Sequence, residues 1–402
     1  MSDPVPAFGL GRLPRITFGA GVFGEVPAIV ARHGSRAFLV TGGRSFNASV
    51  RRAQLEAGLA EAGVSLVGST AVSGEPGPTD VESPVTEFRG RGIEVVIGVG
   101  GGAAIDTAKA IAGLLPVETE LMDHLEGVGR GVPYAGRALP VVAVPTTAGT
   151  GSEATRNAVI TSRGPDGYKR SFRDESMVPA DAVVDPDLLA TAPRSLIAAN
   201  GLDALTQLLE AMTSQRATPV TDALGRDGLA AIRRGLLAWH GDPDGPDAPA
   251  ARSEMAYAAL LSGICLANAG LGAVHGFASP LGAQLPIPHG MACGAVLWQT
   301  IRTNITALTE RMPDSPALAK YAQAGRILAD LPSTVRDGAA RVALVDTLHD
   351  MVQALDVPRL SAFEMTAAHI PAVVADSPGS SMRTNPVALT DAELSSILEQ
   401  AL

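Results

Sequence analysis

Lysine is nearly missing from this chain of 402 residues, occurring only at positions 109, 169 and 320. Basic residues (31) are outnumbered by acidic ones (41), giving a formal charge of −10 that argues against nucleic acid and anionic membrane surfaces as partners. Cysteine is scarcer still, and Cys265 and Cys293 alone make neither a disulfide framework nor a zinc knuckle. Aromatic residues are 4% of the chain, which argues against a bulky aromatic pocket, and no cluster of arginines marks a phosphate-bearing substrate. No apolar run reaches the roughly 18 residues of a membrane helix. The first residues, MSDPVPAFGLGRLP, lack the basic start and apolar core of an export signal, so the expected address is cytoplasmic. Internal repeats and low-complexity segments are missing too. What remains, 46% hydrophobic and 18% charged, is an ordinary globular composition long enough for two domains.

The stretch Val95–Gly113, VVIGVGGGAAIDTAKAIAG, organises the rest. A β-branched run, then Gly98, Gly100, Gly101 and Gly102, then an Ala-rich segment reads as strand, tight loop and helix. Glycines let a phosphate approach the backbone, and the N–H groups opening the next helix point at it. The alternative is a buried turn that needs glycine only for packing. The usual dinucleotide fingerprint fits poorly, because Ala103 takes its last glycine position and no strand ends in an acidic residue about 20 residues on.

Around this stretch the N-terminal part alternates. Strands are expected at 15–19, 36–41, 64–67, 139–144 and 182–184, with helical stretches at Val22–His33, Val50–Ala62 and from about Val81. A small hairpin, Asn157–Thr161 with Lys169–Phe172, is expected around a turn at Gly164–Gly167. Such alternation implies a mainly parallel sheet covered on both faces. The character changes at Pro193. Beyond it only helical periodicity is visible, at Arg194–Thr213, Pro219–Trp239, Ala248–Asn268, Gly272–Gln284, Cys293–Glu310, Pro316–Leu331, Arg341–Leu355 and from Asp391. The expected architecture is an α/β, Rossmann-like nucleotide domain over residues 1–192 and an all-α domain over 193–402, with the active site in a cleft between them.

Two groups of residues could carry chemistry. Thr146, Thr147, Thr150 and Ser152 crowd the loop after a strand, where hydroxyls hold phosphate or ribose oxygens or else cap the next turn. Asp203 and Gln207 stand four apart on one helix face, and His275 and His289 follow. An aspartate and two histidines on different helices can bind a divalent metal, yet spacing alone does not bring position 203 to 275 and 289.

The motifs GGGAAIDTAKA, PTTAGTGSEATRNAVIT, NGLDALTQLLEA, NAGLGAVHGFASPLG and PHG, in this order, resemble the iron-containing (group III) alcohol dehydrogenases. The resemblance covers essentially the whole chain. It implies a dehydroquinate synthase-like two-domain fold and hydride transfer between NAD(P)(H) and an alcohol/aldehyde pair. By the same resemblance, Gly101 and Gly102 with Asp106 correspond to the pyrophosphate-binding stretch, and Gly100 beside them is a further cofactor-binding candidate. Thr146 and Thr150 correspond to cofactor contacts, with Thr147 a further candidate of the same loop, and Asn157 and Lys169 to polar residues lining the nicotinamide side. Asp203, His275 and His289 correspond to three of four metal ligands.

The departures shape the remaining expectations. The fourth ligand, a histidine in the family, is Gln207, whose side-chain oxygen is a weaker donor to Fe²⁺ or Zn²⁺. Weak, exchangeable metal binding is expected, and a metal-free protein as purified. A family histidine facing the substrate is Ser279, which would leave a hydroxyl and water as the proton relay beside His275. An aspartate that bonds the adenosine ribose is replaced by Gly42, followed by Gly43, Arg44 and Ser45, a change that favours the 2′-phosphate of NADPH, with NADH possible. The expected activity is reduction of a small carbonyl compound by a homodimer. The competing readings are a metal-free enzyme resembling maleylacetate reductase, a dehydroquinate synthase-like lyase or cyclase, and an inert nucleotide-binding scaffold.

Overall fold

The computed structural model describes residues 5–163 and 167–402, so the turn expected at Gly164–Gly167 lies, but for Gly167, outside the described residues. The chain divides into two compact units, Gly11–Thr191 and Ala192–Leu402, the latter joined by the described residues up to Leu10. Those first residues therefore group with the helical unit, not with the α/β unit to which the sequence reading assigned them.

In the first unit, strands and helices alternate as β1 (Arg15–Phe18), α1 (Val26–Ala31), β2 (Arg36–Gly42), α2 (Val50–Glu61), β3 (Ser65–Val72), α3 (Pro78–Phe88), β4 (Val95–Gly100) and α4 (Gly102–Leu114). A single turn, α5 (Leu121–His124), then leads to β5 (Val141–Pro145), the hairpin β6 (Asn157–Ser162) with β7 (Tyr168–Arg173), and β8 (Asp181–Val184). Six strands form one parallel sheet in the order β1-β8-β5-β4-β2-β3. Alternate residues serve opposite faces, as a pleated strand requires. Phe38, Val40, Val96 and Val141 pack on one side with Ile105 and Ile111, and Leu39, Val95, Ile97 and Val142 on the other with Ile29 and Leu55. Both faces are apolar, which is why the central strands read as unbroken hydrophobic runs. Two helix starts differ from expectation. Val22–Glu25 is 3₁₀, with Pro27 opening the α-helix behind it, and α3 begins at Pro78, where the missing proline N–H costs nothing. The Asp80 carboxylate accepts the Gly77 N–H at 2.7 Å and closes that end.

Among its described residues the second unit has helices and no strand: α6 (Arg194–Thr213), α7 (Pro219–Gly241), α8 (Ala248–Ala269), α9 (Ala273–Gln284), α10 (His289–Arg311), α11 (Pro316–Leu328), α12 (Asp337–Ala354), α13 (Ile370–Asp376) and α14 (Asp391–Ala401). Buried positions run almost without break from Ile197 to Thr213, so α6 is the hub about which the others pack. No single helix among the described residues is long and apolar enough to cross a membrane. Helix α13 was not foreseen, and α12 starts at Asp337 instead of Arg341. The consequential difference is α10, which begins at His289 and not at Cys293, with Pro288 immediately before its first turn. Glycine makes that position possible. A Cβ on Gly290 would stand 1.9 Å from the Ala199 carbonyl oxygen, and one on Gly294 would stand 2.7 Å from Leu202, so only glycines let α10 lie this close to α6.

Candidate active site

Two strands of the first unit end in bare backbone. β2 finishes at Gly42 and its neighbour β4 at Gly100, and a Cβ on Gly100 would meet the Gly42 nitrogen at 2.9 Å. From β2 the chain proceeds outward to β3, whereas from β4 it proceeds the other way to β5. The reversal falls between these two strands, where open parallel sheets leave a crevice for ligands. Helix α4 starts directly after β4, and its first N–H groups present the positive end of its dipole.

The hydroxyl loop lies against the glycines. A Cβ on Gly101 would meet Thr147 at 3.1 Å, one on Gly102 would meet Thr150 at 2.7 Å, and the Thr146 N–H donates to the Gly100 carbonyl at 2.9 Å. Thr146, Thr147 and Thr150 are half-buried beside the loop. The packing requirement alone therefore explains Gly101 and Gly102, as the plainer sequence reading allowed. Asp106, expected among the cofactor contacts, is turned inward. Its carboxylate accepts from Ser152 Oγ, from the Val159 N–H at 2.9 Å and from Lys109 Nζ at 3.0 Å. Lys109, wholly buried, also donates to the Ser152 carbonyl and to Thr155 Oγ1, both at 3.0 Å. One buried cation thus ties α4 to the loop that follows β5. Burial pulls the Lys109 pKa down against the pull of Asp106 and Glu153, and it pushes the Glu153 carboxyl up to about 7.

Beyond β2, Arg44 and Ser45 are exposed. The Gly42 carbonyl accepts from Asn47 Nδ2 at 2.9 Å, and Arg52 donates to Asn47 Oδ1 at 2.6 Å. Gly42 and Gly43 differ. A Cβ on Gly42 meets nothing nearer than 3.9 Å, while one on Gly43 would collide with Ser73 Oγ at 2.1 Å. On the hairpin, Asn157 pairs with Arg173 and Lys169 with Thr161, so these two candidates share a face but stand four rungs apart. Lys169 Nζ meets Glu75, a residue the sequence reading had not singled out, at 2.5 Å.

In the second unit the metal candidates do converge. His275 Nε2 lies 3.2 Å from Asp203 Oδ1 and His289 Nε2 lies 3.7 Å from the same oxygen. Asp203 and His275 are buried and His289 half-buried. Burial opposes the Asp203 charge, but His289, His275 and Gln207 outweigh it and hold its pKa below the ordinary carboxylate value. Gln207 faces otherwise than expected. Its Nε2 donates to Asp203 Oδ1 at 3.1 Å, and its oxygen, the expected weak donor to a metal, accepts from Ser262 Oγ at 2.8 Å.

Two further residues belong to this group. Glu210, two turns after Asp203 on α6, receives His275 Nδ1 at 2.6 Å and the Val274 N–H at 2.7 Å. Its place is legible from spacing alone, since positions 203, 207 and 210 share one helix face. Cys293 Sγ stands 3.9 Å from His275 Nε2, and burial pushes its thiol pKa up. The donor atoms of Asp203, His275, His289 and Cys293 all lie within 4.8 Å of one another. Burial favours a neutral His275 ring, yet Cys293, Glu210 and Asp203 together lift its pKa well above the ordinary imidazole value. Ser279 is half-buried one turn beyond His275 on α9. A compact set of carboxylate, imidazole and sulfur donors, with Glu210 fixing one ring, has the chemistry to hold a divalent cation.

Two family models match in succession: "Iron-containing alcohol dehydrogenase" over residues 14–186 and "Fe-containing alcohol dehydrogenase family, C-terminal" over residues 197–402. The NAD-dependent methanol dehydrogenase of Bacillus methanolicus is 32% identical over 298 residues, covering 74% of this chain and 76% of that protein. Alcohol dehydrogenase 4 of Saccharomyces cerevisiae (strain YJM789) is 35% identical over 286 residues, 71% of this chain and 72% of the yeast protein. The crystal structure of a 1,3-propanediol oxidoreductase matches with a TM-score of 0.87 at 26% identity, over 99% of this chain and all (100%) of that one. The order of motifs, the sheet, the helical unit and these matches agree: the chain belongs to the iron-containing alcohol dehydrogenase family.

Proposed function

We propose that this alcohol dehydrogenase-type oxidoreductase reduces a small aldehyde or ketone with NADPH, and uses NADH less well. The observation that carries the reading is the pair of glycine strand ends, Gly42 on β2 and Gly100 on β4, beside the start of α4, with no carboxylate at Gly42. The α4 N–H groups suit a pyrophosphate, and Arg44 and Ser45 suit a 2′-phosphate that an aspartate there would repel. Thr146, Thr147 and Thr150 flank the same loop, and Asn157 and Lys169 are the candidates for the nicotinamide side.

In the helical unit, the residues fit a divalent metal: Asp203, His275 and His289 would hold it. When bound, Fe²⁺ or Zn²⁺ supplies Lewis-acid polarisation of a carbonyl oxygen, and the nicotinamide supplies hydride. The chain's own residues do the rest. Glu210 accepts the Nδ1–H of His275 and fixes the ring, so that Nε2, which here donates to Asp203, would present its lone pair to a bound cation once it gives up its proton. The Ser279 hydroxyl, with water, is the candidate proton relay to the product alkoxide. One observation favours a metal-free variant of the same reaction, because the Gln207 amide already bridges Asp203 and Ser262.

The test is nicotinamide oxidation with a panel of short aldehydes, ketones and keto acids. The reading expects carbonyl-dependent oxidation with a preference for NADPH of at least roughly tenfold in kcat/KM, about 1.4 kcal/mol. Binding of nucleotide without turnover of any carbonyl would make the protein a scaffold, and equal use of both cofactors would remove the assigned role of Arg44 and Ser45. We also expect a homodimer. β1 is an edge strand whose Ile16 and Phe18 are 39% and 37% exposed, and light scattering should give a mass well above one 41.0 kDa chain.

A further inference from the structure

We propose that Cys293 is the fourth protein donor to the divalent metal, completing an Asp203–His275–His289–Cys293 set from which Gln207 is excluded. The proposal rests on the reading of this cluster as a metal site.

Its first support is the start of α10 at His289, which puts Cys293 one turn along the same helix face. Two donors therefore come from α10, one from α6 and one from α9. The second support is distance. The measured separations are 3.2 Å from Asp203 Oδ1 to His275 Nε2, 3.7 Å from Asp203 Oδ1 to His289 Nε2 and 3.9 Å from Cys293 Sγ to His275 Nε2. Tetrahedral zinc with Zn–N and Zn–O near 2.1 Å and Zn–S near 2.3 Å requires donor–donor edges of roughly 3.4 to 3.7 Å. No donor pair exceeds 4.8 Å, so a modest contraction suffices.

The third support is the occupation of Gln207. A carboxylate oxygen beside it selects the NH₂ end of the amide, and Ser262 Oγ takes the other end, so neither is available as a metal donor in this arrangement. Gln207 is a positioning residue that holds Asp203. The plain alternative for Cys293 is a small buried packing residue, and Cys265 illustrates it: its Sγ lies 3.5 Å from the Thr221 carbonyl and is not among the clustered donors. Cys293, in contrast, is fully buried with its sulfur turned to an imidazole nitrogen and a carboxylate group.

On binding, the Cys293 thiol releases its proton to solvent and a metal–sulfur bond forms. The thiolate and Asp203 together balance the dication, with both imidazoles neutral. A thiolate also shifts the preference of the set from Fe²⁺ towards Zn²⁺ and Co²⁺.

Cobalt tests this directly, because thiolate-ligated Co²⁺ has a near-ultraviolet sulfur-to-metal charge-transfer band that oxygen and nitrogen ligands lack. Full-length protein is stripped with chelator, titrated with Co²⁺ and measured for cobalt content and absorption. The native protein should take up about one cobalt per chain and show the band. Cys293→Ser should lose the band and bind Co²⁺ at least ~100-fold more weakly, a loss beyond that of an outer-shell partner. Cys265→Ser and Gln207→Ala should keep the band. Stoichiometric cobalt without the band in the native protein overturns the role of Cys293 and leaves the metal site standing. A band that survives in Cys293→Ser overturns it too. Failure of the native protein to bind cobalt at all overturns the metal reading itself, and this proposal with it. The native spectrum decides even where a variant fails to fold.

Discussion

His275 has both ring nitrogens engaged, Nδ1 by Glu210 and Nε2 by Asp203. A histidine ligand held from behind by a carboxylate loses basicity and orientation when that carboxylate is neutralised. Glu210→Gln should therefore weaken divalent-metal affinity by about 10–100-fold, measured by competition with a chromophoric chelator; unchanged affinity would free Glu210 from this role. Position 42 offers a second test. The space there admits a side chain, so Gly42→Asp should fold normally and turn the cofactor preference. Its carboxylate should lower kcat/KM for NADPH by more than about tenfold while NADH loses little. A variant that still prefers NADPH would place the 2′-phosphate elsewhere. The grouping of Asp203, His275 and His289 was legible from the family resemblance and not from spacing, Gln207 was expected as a ligand and faces Ser262 instead, and Glu210 and Cys293 were passed over. Nothing along the chain says which residue eighteen positions beyond His275 will share its pocket, and a lone buried cysteine reads as packing until the helices are assembled.

The element that decides the site is the first turn of α10. Pro286 and Pro288 stand just ahead of it, whereas the sequence reading placed the helix start at Cys293. A proline just ahead of a helix is in fact well placed, and the glycines at 290 and 294 are there because α6 leaves no room for a Cβ. The sheet was easier to read, since alternation of apolar runs and Ala-rich helices leaves few other topologies. The glycine loop was read correctly as strand, turn and helix, but its threonine packing and the Asp106–Lys109 tie depend on a loop some forty residues away. That tie has a pH signature. Glu153 has a folded-state pKa near 7 against an ordinary value of 4.5, so the unfolded chain gives up this proton first as pH rises. The folded state loses stability relative to a neutral side chain between about pH 4.5 and 7, on the order of 3 kcal/mol. Urea unfolding of the native protein and Glu153→Gln should show a difference that grows in favour of the variant across that window and levels off above it. A difference independent of pH would contradict the buried, protonated Glu153.

Taken as a whole, the chain is a parallel-sheet α/β unit and a helical unit, to which the proposed function assigns nucleotide recognition and carbonyl activation respectively. This division was legible from the change of periodicity at Pro193, because strands and helices differ in their hydrophobic period over any long window. The grouping of the residues up to Leu10 with the second unit was not, since an N-terminal segment without periodicity carries no record of what it packs against. The family relation raises hydride transfer above the other readings, but a lyase or cyclase on the same fold would also bind and transiently reduce a nicotinamide. Isotope transfer separates these chemistries. The decisive measurement is mass spectrometry of the product formed from an unlabelled aldehyde and NADPH carrying deuterium at both C4 positions. The account predicts one deuterium at the carbinol carbon of the product alcohol, with matching loss from the oxidised cofactor. Substrate consumed without deuterium in the product, or with both deuterium atoms retained on the cofactor, would contradict it.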